Sequence, residues 1–302
     1  MPTSTLSGWA FSNYGPLTTT YTAPASCFTE PTNIELGRSI KGSDNSSTLA
    51  IFGGTCAALS STGVSIGDCL PSGSEYDKAY AALDTNNPAA GFTIDYYSPG
   101  LFCPSGYETV GVASKTGGGS ITSSGSAFVL PSAVTIRASG AYNLGRNPAP
   151  NVLLQGLNDG ETAVICCPSS YTVSIAGYCW SPLPSYPVPT EACAREIPPE
   201  DVDYTTEVLS IFGTTITANV ITYVSTSPIT ETHTETFSTS EDWTAVTFAP
   251  FVTLIHNEAD ASQATTSSAA SPGRAGGASG AGAVFSFWAA GLAAGILYAA
   301  FL

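Results

Sequence analysis

Positive charge is scarce in this chain. Eight Lys and Arg stand against 23 Asp and Glu in 302 residues, a formal charge of −15, so nucleic acid and other polyanions are repelled rather than steered in. Histidine is scarcer still, with His233 and His256 alone. No C-x-x-C occurs, and neither histidine stands at finger spacing from a cysteine, which argues against a structural zinc site. Residues 1–25 carry no basic stretch and no apolar run, so they do not read as a secretory signal. Charged residues make up only 10% of the chain, and a surface wetted by Ser and Thr hydroxyls, as in glycan-bearing proteins, is expected instead. The 30 Gly and 21 Pro exclude a helical bundle and call for many turns.

Cysteine, by contrast, is present in an even set: Cys27, Cys56, Cys69, Cys103, Cys166, Cys167, Cys179 and Cys193. Their confinement to one part of the chain predicts a framework of up to four disulfides, and with it an oxidising compartment. Cys166 and Cys167 are adjacent and cannot bridge to each other without strain, so each should reach a different partner. One local pattern recurs at these cysteines. Cys103-Pro104-Ser105-Gly106-Tyr107 is repeated in Cys166-Cys167-Pro168-Ser169-Ser170-Tyr171, with a looser echo in Cys69-Leu70-Pro71-Ser72-Gly73. Proline followed by small residues marks a turn between short strands.

The organisation expected along the chain has five parts. Residues 1–26, with Trp9, Phe11, Tyr14 and Tyr21, read as an extended arm in which 17–22 has strand character. Residues 27–194 form a cysteine-rich disulfide domain of short strands: 47–52 closed by Gly53-Gly54, then 91–97, 127–138, 152–154 and 161–166. A helix is expected over 74–83, with Ser74 as cap, Asp77 completing a capping box and Tyr76, Ala79, Tyr80 and Leu83 on one face. The prolines between 182 and 199 mark a boundary. Residues 195–256 then form a Thr-rich β region of about four strands, since Ile, Val and Phe are too frequent for a disordered stalk. Residues 257–283 are an Ala/Gly/Ser stalk, and 284–302, without one charge, are long enough for a membrane-spanning helix. The fold class is therefore mainly β, with a disulfide-stabilised ectodomain, a Thr-rich β region and a C-terminal hydrophobic helix.

The same tail satisfies the pattern of a lipid-anchor signal: the small triplet Ser268-Ala269-Ala270, a spacer broken only by Arg274, and an apolar tail. A glycosylphosphatidylinositol (GPI) anchor on Ser268, with Gly276 second, is expected over a retained transmembrane helix. Asn45-Ser46-Ser47 is a glycosylation sequon.

Three constellations bear on chemistry. Gly63-Val64-Ser65-Ile66-Gly67 matches a nucleophile elbow, but Asp68-Cys69-Leu70-Pro71 cannot continue it as a helix, so a turn is the reading preferred. Glu231, His233 and Glu235 would share one face of a strand; a solvated face is expected, with no metal and no cofactor. Tyr178, Trp180 and Tyr186 cluster among prolines, either stacking against sugar rings or filling a small core beside the bridges.

Asp68-Cys69-Leu70-Pro71-Ser72-Gly73, Tyr97-Ser98-Pro99-Gly100 leading into Cys103-Pro104-Ser105-Gly106-Tyr107, and Cys166-Cys167-Pro168-Ser169-Ser170-Tyr171 together resemble a family of uncharacterised filamentous-fungal (ascomycete) cell-surface proteins. Leu17-Thr18-Thr19-Thr20-Tyr21-Thr22-Ala23-Pro24 is similar to that family's opening. The resemblance covers residues 15–180 and implies a walled, glycan-rich setting, with no catalytic residue to transfer. Family members commonly carry Gly where Ser170 stands and a cysteine where Val173 and Ser174 stand; the resemblance implies that Cys179 takes that bridge. The reading is of a non-enzymatic, membrane-anchored surface glycoprotein with a structural, adhesive or sensory role; the alternative is a carbohydrate-binding module acting on cell-wall polysaccharide.

Overall fold

The computed structural model describes residues 5–28, 34–41, 47–53, 56, 66–82, 92–130, 142–187, 189–195, 202–223, 232–236, 243–262 and 297–299. In chain order its strands are β1 (Trp9–Asn13), β2 (Ile34–Lys41), β3 (Ser47–Gly53), β4 (Phe92–Tyr96), β5 (Tyr107–Lys115), β6 (Ile121–Ser124), β7 (Tyr142–Gly145), β8 (Glu161–Pro168), β9 (Thr172–Val173), β10 (Tyr178–Pro182), β11 (Glu191–Arg195), β12 (Val202–Ile211), β13 (Thr214–Tyr223), β14 (Thr232–Thr236), β15 (Trp243–Pro250), β16 (Val252–Asn257) and β17 (Leu297–Ala299). Among the described residues, helices α1 (Gly73–Ala82) and α2 (Ala149–Gly156) interrupt them, and residues 258–262 are also helical. The protein is mainly β and carries four disulfides, Cys27–Cys69, Cys56–Cys193, Cys103–Cys166 and Cys167–Cys179. The adjacent pair reaches two different partners, as strain demands.

The repeated Pro-Ser pattern has one physical meaning. In each copy a backbone N–H donates three residues back, Tyr107 to Pro104, Tyr171 to Pro168 and Gly73 to Leu70. The third residue of each turn is left-handed, with φ +82° at Gly106, +71° at Ser170 and +54° at Ser72. A β-turn with positive φ at that position is the type II pattern, which glycine enters without strain and serine does not. The first two turns sit side by side, Ser169 N–H donating to Gly106 C=O at 2.9 Å, because β5 and β8 pair antiparallel with Tyr107 opposite Pro168.

The central sheet runs β16-β8-β5-β6. It is extended by the chain that follows β1 and β4. Those two strands pair in parallel, Trp9 opposite Phe92, and beyond them Tyr97 N–H donates to Thr253 C=O and Ile255 N–H to Tyr97 C=O, both at 2.9 Å. The N-terminal stretch expected as an arm is thus partly a core strand, with Trp9 only 5% exposed. Residues 17–22 make a single bridge, Leu17 to Gly100, rather than a strand.

Both faces of the central sheet are covered, and alternation along its strands divides the core in two. Ala163, Ile165 and Ile255 face α2 residues Val152, Leu153 and Leu154, with Trp9, Ile94 and Phe128. Cys166, Val252 and Leu254 face Leu17, Leu70 and Tyr97. Residues 152–154, expected as a strand, are in α2. A short apolar run does not distinguish strand from buried helix, and here Pro148 and Pro150 open a helix that is buried at nearly every position, since proline's fixed φ suits a first helical turn.

Strands from residues 202–257 share sheets with strands from the cysteine-rich stretch. β15 lies between β2 and β10, β14 pairs with β11, β16 with β8, and β13 with β7. Five strands, not about four, are present among the described residues of this stretch. β15 and β16 belong to different sheets, and the chain passes between them at Pro250-Phe251.

α1 begins one residue before the expected helix. The Asp77 carboxylate accepts from the backbone N–H of Ile66 at 2.7 Å and of Gly67 at 2.9 Å, fastening the turn that carries Cys69. Ala79, expected on the apolar face, is exposed, whereas Tyr76 is half-buried. Of the tail, Leu297–Ala299 pairs in parallel with β3; the other residues of 284–302, and with them the expected helix, lie outside the described residues. Among the described residues no helix is long and apolar enough to cross a membrane.

Candidate functional site

The structure separates the aromatic residues expected to meet sugar. Trp180 and Tyr178 share one face of β10, with Trp180 5% exposed beside the fully buried Val246. Tyr178 meets Phe248 edge-on at 4.9 Å between ring centroids. Tyr186 packs elsewhere, against the small cluster of Leu36, Ala192 and Ala245. Trp180 fills core, whereas Tyr178 and Tyr186 are partly buried. A stacking platform needs an accessible face, and Trp180 offers none. The acid Glu35 lies opposite Val246 on β2, where burial pushes its carboxyl up to about 7.

Other expected residues are placed unevenly. All eight cysteines are paired. Asn45, Ser268 and Glu231 lie outside the described residues, as do residues 63–65 of the elbow-like motif. Its end, Ile66 and Gly67, leads into a 3-10 turn over Gly67–Cys69. His233 and Glu235 stand on β14 opposite Ala194 and Ala192. No group of three or more His, Cys, Asp or Glu poised for a metal exists among the described residues.

One site was not expected. Where β1, β4, α1, α2 and the β15–β16 junction meet lies a partly open cavity of about 70 Å³, lined by Trp9, Tyr76, Thr93, Ile94, Asp95, Ala149, Gly177, Pro250 and Phe251. Gly177 shapes its wall: it holds φ +104°, and a Cβ there would stand 3.1 Å from that of Ala149. Asp95 sits on β4 opposite Ser12 of β1. Its Oδ1 is buried with no hydrogen-bond partner, and so is the hydroxyl of Tyr14. Burial pushes the Asp95 carboxyl up to about 6, against the pull of the neighbouring Tyr14 hydroxyl. Burial, and then the Asp95 charge, hold Tyr14 well above the ordinary phenol range.

Tyrosines surround this carboxylate. Tyr14 stands 6.3 Å from Tyr76 and 6.0 Å from Tyr97, ring centre to ring centre. Tyr97 is also raised, first by burial and then by its neighbours Tyr14 and Asp95, and its hydroxyl donates to the carbonyl of Pro71. On the outer side Arg146 lies 5.9 Å from the Trp9 ring centre and 3.1 Å from that of Phe92. Trp9 is fixed by its indole N–H, which donates to Asn147 C=O at 3.0 Å.

A carboxylate poised near pH 6 can hold a cation or exchange a proton, and the side chains that line the cavity with it are apolar, aromatic or hydroxyl-bearing. The signal for this site was in the sequence. In Phe92-Thr93-Ile94-Asp95-Tyr96-Tyr97 an acid stands inside a run with the β-branched and aromatic character of a buried strand, and a charge there is retained only with a partner or a use.

Comparison of the chain with protein-family models, with curated proteins and with solved structures gives no match in any of the three.

Proposed function

We propose that this chain is a non-enzymatic surface glycoprotein of a fungal wall or membrane, exposed to an oxidising exterior and serving a structural, adhesive or sensory role. The observation that carries the reading is the pairing of every cysteine in four disulfides, with sequence separations from 12 to 137, because such frameworks persist outside the reducing cytosol. The acidic, hydroxyl-rich composition supports a hydrated, glycan-bearing exterior. The uncharged run 284–302 supports attachment to a membrane.

The test is to express the tagged chain in a filamentous fungus and treat intact cells with protease and with a membrane-impermeant thiol reagent. Expected is removal of the tag from intact cells, with no free thiol after denaturation without reductant. Protection of the tag together with most cysteines free would overturn the reading. Release by a phosphatidylinositol-specific phospholipase C then assigns the attachment to a GPI anchor, and recovery of peptide 284–302 in the membrane-bound protein assigns it to a retained helix.

A further inference from the structure

We propose that the cavity at Asp95 binds a compact organic ammonium ion. Three observations converge on that class, independently of where the protein resides. The first is an uncompensated acceptor: Asp95 lines the cavity, and its buried Oδ1 has no hydrogen-bond partner. A buried carboxylate left unpaired is costly, and a ligand that brings both a positive charge and N–H or polarised C–H groups removes that penalty.

The second is the character of the walls. Trp9, Tyr76 and Phe251 line the same space, and the negative faces of aromatic rings attract cations of low charge density, the arrangement by which quaternary and methylated ammonium groups are held. A metal ion is not served by this lining. Calcium calls for about 6–8 oxygen ligands, and the lining supplies one carboxylate and the hydroxyls of Tyr76 and Thr93. The tyrosines that flank Asp95 in sequence and in space bring no charge of their own to offset it. Tyr14, after β1, and Tyr97, after β4, have raised pKa values and stay protonated, and Arg146 lies over Trp9 and Phe92.

The third is size. One water needs about 10–15 Å³ of such space, so a cavity of about 70 Å³ takes the equivalent of about five waters. That admits an ammonium ion with about five heavy atoms and excludes a hexose or a drug-sized ligand, whose pockets measure about 300–1,000 Å³. The formal charge of −15 raises the local concentration of any cation at the surface.

The intact, oxidised chain is titrated with tetramethylammonium chloride against sodium chloride at constant ionic strength, near pH 8 and near pH 5, with calorimetry and the Trp9 indole N–H resonance as readouts. Expected is saturable binding near pH 8 that shifts the Trp9 resonance. One unit below the carboxyl's pKa of about 6 only about a tenth is ionised, so the dissociation constant rises about tenfold near pH 5. Asp95→Asn weakens binding at least tenfold near pH 8 and abolishes its pH dependence. Tyr76→Leu, which removes one wall and keeps the carboxylate, weakens it several-fold. Absence of saturable binding, equal binding by Asp95→Asn, or equal binding of potassium or of the neutral, equally large tert-butyl alcohol would each overturn the proposal.

Discussion

Replacing Asp95 by Asn is expected to change how the stability of the chain depends on pH. In the folded protein burial raises this carboxyl from 3.8 to about 6, so the folded chain holds its proton more tightly than the unfolded one does. Between about pH 4 and pH 6 the folded state therefore carries the extra proton, and stability falls as the pH rises through that window. A tenfold change in acidity is worth about 1.4 kcal/mol, so the ionised carboxylate costs the fold about 3 kcal/mol well above pH 6 relative to well below pH 4. Glu35 acts in the same direction over a slightly higher window, from 4.5 to about 7. Urea unfolding of the oxidised chain near pH 4 and near pH 8, with parent and Asp95→Asn compared, isolates the Asp95 share. The parent should lose about 2–2.5 kcal/mol more than the variant across that range, whatever Asn itself does to the absolute stability. Equal pH dependence in the two proteins, or a parent that gains stability on going from pH 4 to pH 8 relative to the variant, would refute the assignment of a buried, unpaired carboxylate.

The remaining predictions address the frame. Among the disulfides, loop-closure entropy predicts that replacing both Cys56 and Cys193 by Ser, opening a span of 137 residues, destabilises by about 5 kcal/mol, against about 3 for Cys167–Cys179 with its span of 12; thermal melts rank them, and the reverse order would show that native-state strain dominates. Ser170→Gly should stabilise by about 1 kcal/mol and Gly106→Ala destabilise by about 1–2 kcal/mol in urea titrations, because both positions hold a left-handed φ. Trp180→Ala should destabilise by about 3–5 kcal/mol, as for a core aromatic, and leave retention on glucan or chitin unaltered; selective loss of polysaccharide retention in a stably folded variant would restore the sugar-binding reading. Asn151→Ala should cost about 2–3 kcal/mol, since its amide donates to Asn147 Oδ1 and Ser210 C=O and accepts from Phe212 N–H, leaving buried groups unpaired.

What could be read from the chain in advance was whatever is encoded locally. The Pro-Ser turns and the even set of cysteines both carry their signal in the chain itself, whereas the hairpin between β12 and β13 was not anticipated. β12 and β13 meet at Phe212-Gly213, both at positive φ, as a tight two-residue hairpin requires. Partners distant in sequence left no such mark. Nothing near Trp9 announces that it pairs with Phe92, and nothing near Trp243 announces that it lies opposite Arg38. α2 carried no such mark because an apolar run of three residues fits either geometry, and the two backbone donors that Asp77 holds across a loop lie ten and eleven residues before it. Asp95 escaped for a related reason. A charge in a strand reads as a solvated face unless the strand is known to be covered on both sides.

The order in which these pieces can assemble constrains the site. β1 and β4 are parallel, so no hairpin joins them, and the span between Asn13 and Phe92 includes β2, β3 and α1. β4 is completed only when Tyr97 meets Thr253 and Ile255, which places the last central strand more than two hundred residues after the first. Topologies dominated by such pairings fold slowly. The bridges Cys103–Cys166 and Cys167–Cys179 need only the β5–β8 region and β10, so they can hold that scaffold before β16 arrives. The Asp95 cavity cannot exist at that stage. Its walls include Trp9 from the first strand and Pro250-Phe251 from the last sheet-to-sheet passage, so burial of the carboxylate, with its free-energy penalty, is incurred only when the finished β16 supplies Leu254 and Ile255 to the two faces of the core. The same closure that perturbs Asp95 is therefore driven by apolar burial on both sides of the sheet, which offsets the cost of burying an acid oxygen without a partner in the cavity wall.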